Sequence, residues 1–295
     1  VKSIFLPVTP QSMAVAPLLA AAKLAREFDA TLTTLLIQDD PRAVVPFLGE
    51  GLTVDMMQGM YEAAESEIKE QAVRAHQIFL TAMEFADMPV GITRDKRPQG
   101  ANARWLVVQG SVADYVGKRA RTADVAICLK PDPATSDTVE IFNDLIYRSG
   151  RPVFMVPAAD PKSLDQSWEP NFQGMDFLIA WNGSAECARA VAAAKAFMPS
   201  DRPVSITQID PTKAGRPGLS DLALYLSEHS IDTREVRAEL ESQSVGAQIL
   251  AVAEAERSHL IVAGAYSHSR WREMILGGVT KHLVTHSTLP VFFCH

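Results

Sequence analysis

The chain predicts an α/β fold made of two doubly wound parallel five-stranded sheet domains in tandem. Three observations lead there. The sequence repeats itself once, in four blocks that keep their order. Short apolar runs alternate with helical patterns within each half, and such alternation builds a parallel sheet. The apolar runs lack period-2 alternation, as expected of strands buried on both faces.

The four blocks place the elements. "SIFLPVTPQSMAVAPLLAAAKLA" (Ser3–Ala25) corresponds to "DFLIAWNGSAECARAVAAAKAFM" (Asp176–Met198), each a strand, a turn and an alanine-rich helix. "ATLTTLLIQDDP" (Ala30–Pro41) corresponds to "RPVSITQIDP" (Arg202–Pro211), two β-branched runs closed by Asp-Pro. Gly110–Asp132 corresponds to Gln243–Ser267, and "SGRPVFMVP" (Ser149–Pro157) to "HSTLPVFFCH" (His286–His295). The domains are therefore read as 1–157 and 175–295. Between them lies a linker rich in Pro, Asp and Ser. In the second half the strands are expected at Phe177–Trp181, Val204–Gln208, Thr233–Ala238, Leu260–Ala263 and Val291–Cys294. Helices follow from the spacing of Val245, Ile249, Val252 and Ala253 and from "GVTKHLVTHS".

The first half carries an extra segment, Arg42–Gln71. It reads as a methionine-rich loop passing into a helix with Tyr61, Ala64, Ile68, Ala72 and Ala75 on one face. It covers the sheet or, since methionine adapts to varied shapes, presents a partner surface over Val44–Tyr61.

Composition narrows the function. Apolar residues make up 47%, enough for two ordinary cores, and the formal charge of −7 argues against a general affinity for nucleic acid or anionic lipid. No apolar run is long enough to cross a membrane. "VKSIFLPVTP" reads as a first strand and lacks the layout of a signal peptide. Cys128, Cys187 and Cys294 are dispersed and odd in number, which points away from a disulfide framework and toward the cytoplasm.

"GAYSHSRWREMILGGVTKH" (Gly264–His282) is the candidate binding loop. Gly264 ends an apolar run, and a helix begins near Gly278, offering free N–H groups and the positive end of its dipole to a phosphate. Val279 adds an amide, Thr280 a hydroxyl, and His268, Arg270 and Arg272 add cationic contacts. The same residue types also serve helix caps and turns, so composition alone leaves both readings open.

On Leu260–His295, supported by "IAWNGSAECARAV" (Ile179–Val191), the chain resembles a tandem member of the universal stress protein family. The resemblance implies a Rossmann-like, adenine nucleotide alpha hydrolase-like fold. It implies a loop of Gly, two residues, Gly, nine residues, Gly, then Ser or Thr. Gly264 and Gly277 keep that spacing, while Ser267 replaces the second glycine and Gly278 the hydroxyl residue. Asn182, followed by Gly183, stands where the family tends to place Asp, and the contact to the base falls at Gln208 and Ile209. Loss of one hydroxyl–phosphate bond, worth roughly 1.5–3 kcal/mol, weakens affinity by ~10–100-fold. The implied ligand is ATP or AMP, with Mg accompanying ATP. In the first half no glycine lies between Leu129 and Ser149, and acidic residues and prolines fill the corresponding stretch, so that copy reads as degenerate. The family also pairs its domains through the last strand, so the two halves are expected to pair with each other; a further homodimer and a protein partner are compatible with this.

Other constellations read as structural. His282 and His286 have a metal-compatible spacing, but Leu283 stands where HExxH needs Glu, so the pair reads as solvated helix-end side chains. Ser184 is outside any GxSxG elbow. Trp181 reads as strand-end packing. No catalytic residue is assigned. The leading expectation is a stress-response protein that binds an adenine nucleotide weakly and acts through conformation or partners, without turnover beyond slow ATP hydrolysis. The alternative is a scaffold that uses Val44–Tyr61 and binds no nucleotide.

Overall fold

The structure, a computed structural model, describes residues 1–44, 53–91, 100–157, 174–208, 216–237, 244–265 and 278–295. The first half runs β1 (Ser3–Val8), α1 (Val15–Glu27), β2 (Thr31–Gln38), α2 (Pro41–Val44), α3 (Val54–Phe85), β3 (Asn102–Gln109), α4 (Val112–Ala120), β4 (Val125–Leu129), α5 (Ser136–Arg148) and β5 (Val153–Val156). The second runs β6 (Phe177–Ala180), α6 (Ala185–Ala194), a 3-10 turn (Lys195–Phe197), β7 (Val204–Thr207), α7 (Leu219–Glu228), β8 (Thr233–Glu235), α8 (Val245–Ala255), β9 (Leu260–Gly264), α9 (Gly278–His286) and β10 (Val291–Cys294).

All ten strands form one sheet in the order β3-β2-β1-β4-β5-β10-β9-β6-β7-β8. Each half has the same internal order, first strand central, as the repeat requires. Every pairing between named strands is parallel except β5 with β10, which is antiparallel in the register Val291↔Met155, Phe292↔Phe154 and Phe293↔Val153. The two duplicated apolar runs thus join the halves edge to edge, as expected, and remove two open strand edges.

Because the sheet is continuous, so is the core. One apolar layer lies under α1, α3, α6 and α7 and the other under α4, α5, α8 and α9, and each extends across both halves. On the first face Phe28 meets Phe197 with ring centres 5.1 Å apart, and Phe197 meets Phe292 at 5.4 Å. On the other, Phe142 meets Phe293 at 5.9 Å edge to face.

Two expectations are corrected. The methionine-rich stretch is helical from Val54 on rather than a loop, because Thr53 accepts the Met56 N–H as a side-chain cap and straight-chain residues favour helix. Ile68 and Ala75 do form its buried face, with Tyr61, Ala64 and Ala72 half-buried beside them. β8 stops at Glu235, a short polar edge strand. The linker and the stretch 45–52 lie outside the described residues.

Candidate functional site

The first strand of the second half, β6, has β7 on one side and β9 on the other, so the chain reverses its strand order between β6 and β9. Ligands on doubly wound sheets enter beyond the carboxyl ends of the strands at such a point. The loop that leads from β6 to α6 and the end of β9 lie there.

The β6–α6 loop is tightly tied. Trp181 is buried, its backbone N–H donating to Thr207 O at 2.8 Å and its indole Nε1–H to Pro217 O at 2.9 Å, so it packs, as expected. Asn182 Oδ1 accepts the Ser184 N–H at 3.0 Å, and the Asn182 carbonyl accepts from Arg216 Nη1 at 3.2 Å. Gly183 adopts φ +65°, and a Cβ there would stand 2.8 Å from Arg216 Cβ and 2.9 Å from Pro217 O. Glycine is thus required both for its conformation and for this approach. Ser184 caps α6 by accepting the Cys187 N–H at 3.2 Å. Arg216 and Pro217 therefore roof the loop. The sequence carries no signal for this, since their place over residue 183 depends on how the chain returns before α7.

Gly264 also has a packing reason. A Cβ there would lie 2.6 Å from Cys187 N and 3.0 Å from Cys187 Cα, so the missing side chain admits the first turn of α6 against the end of β9. Burial pushes the Cys187 thiol up to about 11. Just beyond, Ala265 N–H donates to Cys294 O at 2.9 Å, and His295 Nδ1 lies 3.1 Å from Ala265 O. His295 also stacks edge to face on Tyr147 of the first half, at 5.5 Å.

The start of α9 is different. Gly278 is exposed, and no atom of the described residues lies within 4 Å of where its Cβ would stand. Val279 is half-buried against the second apolar layer, whereas Thr280 is 4% exposed, its hydroxyl carried into the packed side of the helix. Gln208 is half-buried directly after β7. Ile209, Ser267, His268, Arg270 and Gly277 lie outside the described residues. The fold therefore brings Asn182, Gly183, Gln208, Gly264, Gly278, Val279 and Thr280 to the carboxyl ends of neighbouring strands.

The leading turn of α9, where Gly278 is exposed, presents the positive end of the helix dipole. Both Asn182 oxygens already accept hydrogen bonds within the protein. The counterpart in the first half is closed more fully. Thr9 and Ser12, both buried, bond to each other, with Thr9 N–H donating to Ser12 Oγ at 2.8 Å. At the other loop Asp132 N–H donates to Thr138 Oγ1 at 2.8 Å. What remains is a small cleft of ≈ 10 Å³, lined largely by apolar residues such as Leu6, Val8, Leu129 and Ile141.

Among the described residues no helix is long and apolar enough to cross a membrane. The universal stress protein family matches residues 176–295. Solved structures match the whole length. A universal stress protein from Archaeoglobus fulgidus DSM 4304 is 17% identical with a TM-score of 0.59, covering 99% of this chain and 96% of that one. A putative universal stress protein from Pseudomonas aeruginosa UCBPP-PA14 is 11% identical with a TM-score of 0.51, covering 100% and 93%. At these identities the likeness is one of fold. No curated protein matches the chain in sequence.

Proposed function

We propose that the C-terminal half, which matches the universal stress protein family over residues 176–295 in a chain that carries that fold twice, binds an adenine nucleotide weakly and acts in a stress response through conformation or a partner. The observation that carries this reading is the exposed leading turn of α9 near the strand-order reversal, where, among the described residues, Gly278 has no neighbour within 4 Å of a would-be Cβ. In this reading the amides of Gly277, Gly278 and Val279 hold the phosphates, with Ser267, His268 and Arg270 from the loop before them. Asn182, Gly183, Gln208 and Ile209 border the nucleoside. ATP, with Mg, or AMP is the ligand, and binding rather than turnover is the output. The division at 157 and 175 into a degenerate first domain and a ligand-bearing second one belongs to the same proposal, as does a cytoplasmic location.

Weak binding follows from two features. Gly278 offers an amide where a hydroxyl residue would add a further contact, and Thr280 turns inward. The test is isothermal titration of the full chain with ATP and AMP in the presence of Mg, beside a Gly278→Asp variant. Saturable heat at sub-millimolar to millimolar nucleotide, lost in the variant, is expected; no heat at several millimolar overturns the reading. Phosphate release measured on the same samples separates binding from slow hydrolysis.

A second reading has its own support. The first turns of α3 expose Val54, Met56, Met57 and Met60, at 72%, 54%, 41% and 38%. A run of exposed apolar side chains of this kind suits a protein partner or a second copy. If this is the working surface, deleting 44–61 abolishes partner capture while Gly278→Asp leaves it intact.

A further inference from the structure

The geometry points to a divalent transition-metal site on the last turns of α9, where His282 and His286 chelate an ion of tetragonal preference, Cu²⁺ or Ni²⁺. This replaces the reading of the pair as merely solvated. Residues four apart on a helix stand one above the other on the same face. Here the two imidazoles lie with centres 4.4 Å apart and planes inclined by 41°.

That separation limits the angle at which both rings could reach one ion. Two imidazoles bound cis to one ion, about 90° apart with metal–nitrogen bonds of about 2.0–2.1 Å, hold their centres about 4.4–4.5 Å apart; a tetrahedral angle would need about 5.2 Å. The spacing of the ring centres therefore suits two neighbouring corners of a square or octahedron. Tetrahedral Zn²⁺ would require the rings to part.

One of the two ligands is held in place by the fold. A Cβ on Gly246 of α8 would come within 2.5 Å of His282 Cβ, 2.8 Å of its Cγ and 3.0 Å of its Cδ2. Glycine at 246 thus lets α8 rest against Cβ, Cγ and Cδ2 of His282 and limits how that ring can turn. His286 is exposed and free to adjust. Among the described residues neither ring is committed to a hydrogen bond or an ion pair. The described residues include no group of three or more metal-ligating side chains, so water completes the coordination shell and the site stays open. A cation here also sits at the negative end of the α9 dipole.

The test titrates CuCl₂, NiCl₂ and ZnCl₂ separately into the full chain in a non-coordinating buffer near neutral pH. Calorimetry and thermal melting are read together, and the Cu²⁺ sample is examined by electron paramagnetic resonance. The expected result is one Cu²⁺ or Ni²⁺ per chain at micromolar affinity, a rise in melting temperature, and hyperfine structure from two nitrogen ligands. Zn²⁺ should bind less tightly than Cu²⁺. His286→Ala should weaken Cu²⁺ and Ni²⁺ binding by ~10-fold or more, as expected when a chelate loses one of its two ligands. Circular dichroism verifies that the variant is folded, and His286→Gln, which keeps a side chain of similar reach, serves as the second variant. The site is overturned if the chain does not saturate below millimolar metal, or if the folded variants bind as tightly as the parent.

Discussion

Lys130 Nζ, at the end of β4 in the first half, donates to the carbonyl of Ser287, the residue that closes α9 in the second, at 2.9 Å. A cation at a helix C-terminus satisfies an orphan carbonyl and complements the dipole. α9 is thus anchored by the first half at the end away from the proposed ligand. Partial burial pulls the Lys130 ammonium below its ordinary pKa, but the carbonyl contact remains one made by its charged form.

Lys130→Met removes that anchor while keeping the stem. It should cost about 1 kcal/mol, in the range of one charged hydrogen bond at a helix end. Urea unfolding measures the loss. Hydrogen exchange should show faster opening confined to the last turn of α9; unchanged exchange there would remove the anchoring role.

Gly264 and Gly278 should respond oppositely to alanine. At Gly264 the new Cβ meets backbone of Cys187 at 2.6 Å, and backbone cannot rotate away, so Gly264→Ala should destabilise by about 2 kcal/mol or more. At Gly278 no described atom obstructs the methyl, and stability should change by no more than about 0.5 kcal/mol. Melting curves of the two variants, side by side, decide this.

The halves should unfold together. Phe292 is 2% exposed between Phe154 and Phe197, in an apolar layer that runs through both. Phe292→Ala should cost about 3–5 kcal/mol and lower a single cooperative transition. Two separated transitions in calorimetry would mean that the shared layer does not couple the halves.

The cysteines should be silent in the native state. Cys128 and Cys187 are fully buried, which pushes both thiols up, Cys187 to about 11, so little thiolate exists at pH 8. Cys294 is also raised by burial. A thiol reagent at pH 8 should label none of the three quickly in the folded chain and all of them in denaturant. Prompt labelling of the native protein would contradict the packing of α6 on β9.

Asp114 gives a pH dependence with a definite sign. It accepts from the Ser111 hydroxyl at 2.7 Å and the Ser111 N–H at 3.2 Å, and these bonds hold its carboxyl below the ordinary range. A group lowered on folding stabilises the fold above its unfolded pKa, and that contribution disappears as pH falls through the folded value. Asp114→Asn should therefore be less stable than the parent at pH 7 and converge on it in acid. A gap that persists at low pH would assign the effect to packing.

The duplication, the alternation of strands and helices and the apolar ends of the two halves were all legible in the sequence. Each depends on local pattern: periodicity, turn residues and β-branched runs repeated in order. The pairing of Val153–Val156 with Val291–Cys294 was implied by the family resemblance, and the matching apolar runs only named the strands that would make it. The candidate site was legible only in part. Gly264 and Gly278 looked alike as loop glycines, yet one makes room for α6 and the other faces open space, a difference set by what packs beside each. Likewise Asn182 looked available until Arg216 and Ser184 were seen to hold its oxygens, and His282 gained a fixed orientation only when Gly246 brought α8 against it. Sequence pattern determined which elements form and in what order, because those follow from the chain's own backbone and side-chain preferences. Tertiary structure decided which groups stay open to a ligand, because that depends on atoms distant in the chain filling or leaving the same few ångströms.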